Sequence, residues 1–229
     1  MDKINHKSDL GIALILGSIW GLSEAALGFG LHRCAVNMSG SLMTGVALFF
    51  ICTSWVATRR LYIPIVTVLI ACLFKLFDAV LLDQQIISGS VANPIFGFLT
   101  EGLAIIFLIA ILTERRLTKR YSRVMLGAGS ALIAICLFPL VKFVTGIPAC
   151  LYASTSIPLS IFFGPVAIGF SAITVLIAFP AGEKIRGAAA DYEVVIKQKA
   201  FRYLMAPTTM ILCLVLIVIL RIIFPENIS

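Results

Sequence analysis

Charged side chains, histidine and catalytic signature motifs are all scarce in this sequence, and each shortage removes a class of function. Charged residues make up 13% of the chain, about half of the roughly 25% usual in soluble globular domains, which excludes an ordinary water-soluble fold. Histidine occurs only as His6, in the N-terminal tail, and His32. Two such positions supply neither an H-E-x-x-H zinc site nor bis-histidine haem ligation inside a bundle. No G-x-x-x-x-G-K-[ST] segment is present, so the chain has no P-loop with which to bind ATP. With no G-x-S-x-G elbow either, nucleophilic hydrolysis has no motif to rest on. The cysteines, Cys34, Cys52, Cys72, Cys136, Cys150 and Cys213, never fall in C-x-x-C spacing. Most read as small apolar packers, while Cys34 and Cys150 fall near the same surface, within reach of pairing in an oxidising compartment. The chain is expected to be no enzyme and to need no cofactor or metal.

Apolar sequence is abundant: 60% of residues are hydrophobic and the mean hydropathy is +1.07. Uncharged runs cover 34–58, 84–100, 124–141, 143–182 and 203–220, against the roughly 20 residues that cross a bilayer core. Two further runs are interrupted by charge, around Glu24 and around Lys75 and Asp78. The expectation is an all-α, polytopic membrane helical bundle of about seven spans, near 10–31, 38–58, 61–82, 93–113, 123–145, 158–180 and 204–224. No A-x-A cleavage pattern follows the first span, which is read as retained. Arg59 and Arg60, the basic run within 115–123 and the basic residues of 184–202 all gather on one side of such a bundle, leaving Arg33 and Arg221 near the other. The positive-inside rule makes the N-terminus cytoplasmic and the C-terminus external. The formal net charge of +7 thus serves topology, and no nucleic-acid partner is expected, because no basic soluble domain exists to bind one. The expected partners are membrane lipids and a small-molecule solute, in the cell (inner) membrane.

Three units follow: 1–182 as a six-helix bundle with an outer-facing polar site, 183–203 as a cytoplasmic amphipathic connector, and 204–229 as a C-terminal transmembrane helix. In the connector, Tyr192, Val195, Ile196 and Phe201 are spaced for a helix lying in the interface, which either rests on anionic lipid or docks a cytoplasmic protein. The outer loops near 32–40, 83–93 and 146–157 are rich in small polar residues and suited to folding over a pocket. Pro94 and Pro158 are expected in the first turns of the helices that follow them.

Five ionisable residues lie inside the expected spans: Glu24, Lys75, Asp78, Glu101 and Lys142. A charge at the centre of a bilayer costs at least about 2.5–3.5 kcal/mol, so intramembrane charges mark function by default. All five fall in the outer half, which points to one shared cavity or polar network. Three acids and two bases leave one formal negative charge, or none where desolvation protonates a carboxyl. In a solute site, Glu24, Asp78 and Glu101 would hold cationic or donor groups, Lys75 and Lys142 an anionic group, and Trp20 and Tyr152 would offer stacking faces. Interhelical ion pairing is the plainer alternative. The first span also carries Gly17, Gly21 and Ala25 on a narrow face shared with Glu24, a small-xxx-small pattern that admits a close helix neighbour. That neighbour belongs either to this chain or to another protein.

A small, hydrophobic, cytoplasm-starting bundle with a small-residue first helix, three pocket-covering outer loops and an outward polar cluster resembles the substrate-binding S-component of energy-coupling factor transporters. The resemblance spans roughly residues 10–180. It implies capture of a vitamin, a vitamin precursor or a metal ion from outside. It also implies a transmembrane coupling protein, met through Gly17, Gly21 and Ala25, and two cytoplasmic ATPases that supply the energy. The span at 204–224 goes beyond the six usual in that family. Two other functions remain open beside solute capture: an ion-coupled secondary carrier with Glu24 or Glu101 titrating, and a non-transporting subunit of a larger membrane complex.

Overall fold

In hydrocarbon every backbone amide must find a partner within the protein, and a helix satisfies that demand locally. A computed structural model describes residues 6–34, 38–112, 116–146, 149, 151, 156–195 and 199–224, with side chains described except at 6, 7, 29–34 and 190–203. The order is α1 (His6–Cys34), α2 (Ser39–Thr58), α3 (Tyr62–Leu81), α4 (Gly89–Ile111), a 3₁₀ turn (Arg116–Thr118), α5 (Arg120–Leu137), a second 3₁₀ turn (Phe138–Leu140), α6 (Val141–Thr145), α7 (Leu159–Phe162), α8 (Gly164–Val195) and α9 (Lys199–Ile223). Among the described residues there is no strand, only an isolated bridge between Leu151 and Pro158. Seven helical segments are long and apolar enough to cross a membrane: Ser8–Gly28, Ser39–Thr58, Tyr62–Leu81, Gly89–Ile111, Arg120–Thr145, Gly164–Ala189 and Leu204–Ile223. The protein is a polytopic α-helical membrane bundle.

The helix with the fewest charges takes the centre. α2 packs against α1, α3, α4, α5 and α8, and two thirds of it is buried (67%), against 17% of the α9 span. Its Leu48, Ile51, Trp55 and Val56 join Leu16, Val68, Ile105, Leu126, Val175 and Phe179 in the main core. Close crossings rely on glycine. A Cβ at Gly17 would sit 2.7 Å from the Ile70 Cβ and 2.9 Å from the Thr67 carbonyl oxygen, and one at Gly21 would collide with Phe74. The small face of α1 is therefore filled by α3 of the same chain. Beside it, Ala25, Phe74, Cys213 and Ile217 form a second apolar cluster that seats α9 against α1 and α3. The seventh helix belongs to the bundle and is no appended unit. Outward faces carry apolar stripes such as Ile65, Leu69 and Leu73 on α3 and Leu99, Leu103 and Phe107 on α4, the surface a lipid environment requires.

The two ends of the bundle differ in chemistry. At the basic end Arg60 pairs with Asp9 at 2.7 Å, and Arg59 lies over Trp55 with 5.0 Å to the ring centroid. Arg123 lies 4.2 Å over Phe179, and its Nε donates to the Leu117 carbonyl at 2.8 Å. Three sequence expectations change here. Helix α4 begins at Gly89, so Pro94 lies inside it, without an N–H for the Ser90 carbonyl four residues earlier. Pro158 precedes the short α7 as its N-cap. The expected connector at 183–203 is divided between helices: α8 runs unbroken to Val195 and α9 starts at Lys199. The stretch 183–191, with three alanines in a row and no proline, continues α8 without a break. Ile196 and Cys150 lie outside the described residues, as do the side chains of Cys34, Tyr192, Val195 and Phe201.

Candidate functional site

Helix packing at mid-depth determines which charges meet at the end opposite the basic residues, called the outer end after the orientation expected from charge asymmetry. Gly21 brings α1 onto Phe74; one turn further along each helix, Glu24 of α1 comes alongside Lys75 and Asp78 of α3. Ile217 of α9 packs in the same cluster as Phe74. Four residues on from each, Arg221 meets Asp78. On α4, Phe98 stacks on Trp20, with centroids 4.8 Å apart and planes at 56°, which fixes the helix face that turns Glu101 inward.

These groups line a cavity of about 760 Å³, within the usual range for small-molecule sites. One wall is charged and polar: Glu24, Lys75, Asp78, Gln84, Ser90, Glu101 and Arg221. The rest of the lining includes apolar and aromatic side chains: Phe98, Ile135, Phe138, Leu159, Phe163 and Ala167. Arg221 holds Asp78 in a bidentate fork, Nε to Oδ1 at 2.7 Å and Nη2 to Oδ2 at 2.7 Å, the strongest geometry available to this pair. Lys75 Nζ stands 4.0 Å from Asp78 Oδ2, leaving the ammonium shared between Asp78 and Glu24. Glu101 is only 6% exposed, and among the described residues no cation comes within ion-pair distance of it. Its polar neighbour is the Thr44 hydroxyl, whose single proton is also claimed by the Gly40 carbonyl at 3.1 Å.

The cavity brings together Glu24, Lys75, Asp78 and Glu101 of the residues expected from sequence. Lys142 is a correction, since it is exposed and outside the cavity lining. Pro139 lies in the 3₁₀ turn Phe138–Leu140, so the helical register changes there and Val141 turns inward, leaving positions 142–144 outside. Trp20 is fully buried and stands behind Phe98, outside the lining. Tyr152 lies outside the described residues. The expected partner contact at Gly17, Gly21 and Ala25 is corrected as well: α3 and α9 of this chain cover that face.

Sequence reasoning missed Arg221, which a simple signal marks: it is a basic residue at the outer end of an apolar span, against the charge asymmetry of the whole chain. It also missed Asn93 and Ser160, uncharged residues that line the cavity and whose Oδ1 and Oγ atoms are buried without a hydrogen-bond partner.

Fold and site together define an integral membrane protein with a mixed polar and aromatic cavity at one end of its bundle. No family model, curated protein or solved structure matches the chain.

Proposed function

We propose that this chain captures a small polar solute from outside the cell and holds it in the outer cavity for uptake across the cell (inner) membrane. One observation carries the reading: a cavity of about 760 Å³, lined by five ionisable side chains, at the end of the bundle away from the basic loops. Five such groups within hydrocarbon depth are costly to keep, and a cavity large enough for a ligand gives them a use that packing alone does not. Energy has to come from elsewhere, because the sequence carries no nucleotide-binding motif. The resemblance to S-components suggests a transmembrane coupling protein and cytoplasmic ATPases as its source. Since the small face of α1 is occupied internally, such a partner would approach through another surface, and the exposed Arg116, Lys119, Arg120, Lys184 and Arg186 offer a basic one on the cytoplasmic side.

A second reading, a membrane subunit without a solute, draws on the Asp78–Arg221 fork, which is a complete ion pair between helices. Native mass spectrometry of the detergent-purified protein, followed by organic extraction, separates the two. Capture predicts a bound molecule in the wild type that is lost from Glu24→Gln and Glu101→Gln. A wild type that carries no solute, with variants that lose only thermal stability, would favour the subunit.

A further inference from the structure

The charges in the cavity do not balance, and the imbalance has an address. Of the acids, Asp78 is satisfied by Arg221 through two 2.7 Å bonds, and Glu24 has Lys75 as its cationic neighbour. Glu101 has no cation among the described residues, lies within electrostatic reach of Glu24, and shares one hydroxyl proton with a backbone carbonyl. To be ionised, a carboxyl this buried requires charge-assisted donors, and the cavity in front of it is where they can come from.

A second observation comes from polar atoms rather than charges. Asn93, Gly97 and Glu101 follow one another at intervals of four along α4, and all three line the cavity. Between the other two, Gly97 faces the Phe138 ring, since a Cβ there would already stand in van der Waals contact with it at 3.7 Å. Asn93 Oδ1, about 12 Å along the helix axis from Glu101 at 1.5 Å rise per residue, is buried and unpartnered, as is Ser160 Oγ. Ile135, Phe138 and Phe163 add apolar surface to the same cavity. Among the described residues no cluster of carboxylate, cysteine or histidine side chains is close enough to hold a metal ion, which favours an organic cation over a bare one.

We propose that the cavity takes a monocationic amphipathic solute whose ammonium-type group meets the Glu101 carboxylate, whose apolar body packs against Phe138 and Phe163, and whose far end donates to Asn93 and Ser160. This rests on the capture reading and names its substrate class.

The test uses the full-length protein in detergent and three indole probes of near-equal shape: tryptamine, a cation; tryptophol, its neutral counterpart; and indole-3-propionate, an anion. Binding is measured by thermal shift and by native mass spectrometry, alongside extraction of any solute that co-purifies. Tryptamine is expected to bind at least tenfold more tightly than tryptophol, and indole-3-propionate not at all. That preference should vanish in Glu101→Gln and persist in Ser23→Ala, a substitution away from the cavity. The thermal midpoint without ligand shows whether Glu101→Gln folds; if it does not, Gly97→Leu replaces it and is expected to abolish tryptamine binding by crowding Phe138 into the cavity. Equal binding of tryptophol, or a cation preference that survives in folded Glu101→Gln, overturns the assignment. If no probe binds, a cationic extracted solute upholds the proposal, while a neutral or anionic one sinks the charge assignment and leaves capture standing. A protein that co-purifies with no solute and also refuses all three probes removes capture together with it.

Discussion

At the scale of single residues, the Asp78–Arg221 fork is the interaction whose loss has the clearest sign. Both side chains are nearly sealed from solvent, at 3% and 9% exposure, so removing either partner strands the other in low dielectric. Arg221→Gln and Asp78→Asn are each expected to destabilise the protein by about 3–5 kcal/mol. The double variant, with no charge left unpaired, should recover much of that loss. Denaturation of all four proteins in one detergent, treated as a double-mutant cycle, gives the coupling directly; independent, additive losses would mean that the fork contributes nothing. Glu101 behaves oppositely, because among the described residues no cation depends on its charge. Glu101→Gln should keep or raise the thermal midpoint of the ligand-free protein while losing the retained solute, a separation of stability from binding that a structural ion pair would not show.

At the scale of elements, the close crossing of α1 and α3 determines where the site residues stand. A Cβ at Gly21 has to push into Phe74, so Gly21→Ala is expected to cost about 1–3 kcal/mol, the range for overpacking a filled interior. At Gly28, on the same helix, an added methyl would meet nothing within 4 Å, so Gly28→Ala should leave the midpoint unchanged or raise it slightly through better helix propensity. Comparing thermal midpoints of the two variants tests the crossing: equal behaviour would mean that α1 and α3 do not meet at Gly21. The displacement should also weaken solute retention, since Glu24 and the Lys75–Asp78 pair lie one turn beyond the contact. The outer ends of α4 and α5 owe their shapes to proline. Pro94 removes one helical hydrogen bond near the cavity, and Pro139 ends the regular winding of α5, which is how Lys142 comes to leave the site.

At the scale of the whole molecule, α9 ties the cavity to the far end of the chain. Its span is the least buried of the seven, and its inner face meets α1 and α3 through Cys213 and Ile217. A chain ending after residue 198 would lose this cover and Arg221 together. It is expected to retain no solute and to melt below Arg221→Gln, because the apolar contact is lost in addition to the fork; native mass spectrometry and a melting curve read both. Orientation has its own check. A thiol reagent that does not cross membranes should label Gln85→Cys on intact cells, and Lys119→Cys only after permeabilisation; the reverse pattern would turn the cavity toward the cytoplasm.

Much of this protein was legible in the sequence because burial in lipid leaves a one-dimensional trace. Apolar runs long enough to span a bilayer, the asymmetry of arginine and lysine, and the depth of Glu24, Lys75, Asp78 and Glu101 are each readable along the chain. Lys142 misled the reading because depth does not specify direction: a single 3₁₀ turn at Pro139 rotated the position outward. Trp20 misled it because an aromatic ring next to a polar site serves equally well behind the wall as in it. Arg221 and the pairing across α1, α3 and α9 were beyond reach for a different reason. A small-residue face on α1 states that some helix approaches closely, and says nothing of which one. Tertiary packing chose α3 and α9, and in doing so joined Asp78 to a residue 143 positions away and left Glu101 without a cation among the described residues. The sequence by itself determined the spans and the end of the bundle that the charges share, since both follow from transfer out of water; which charges pair, and which one meets no cation among the described residues, was decided only by the three-dimensional contacts between helices.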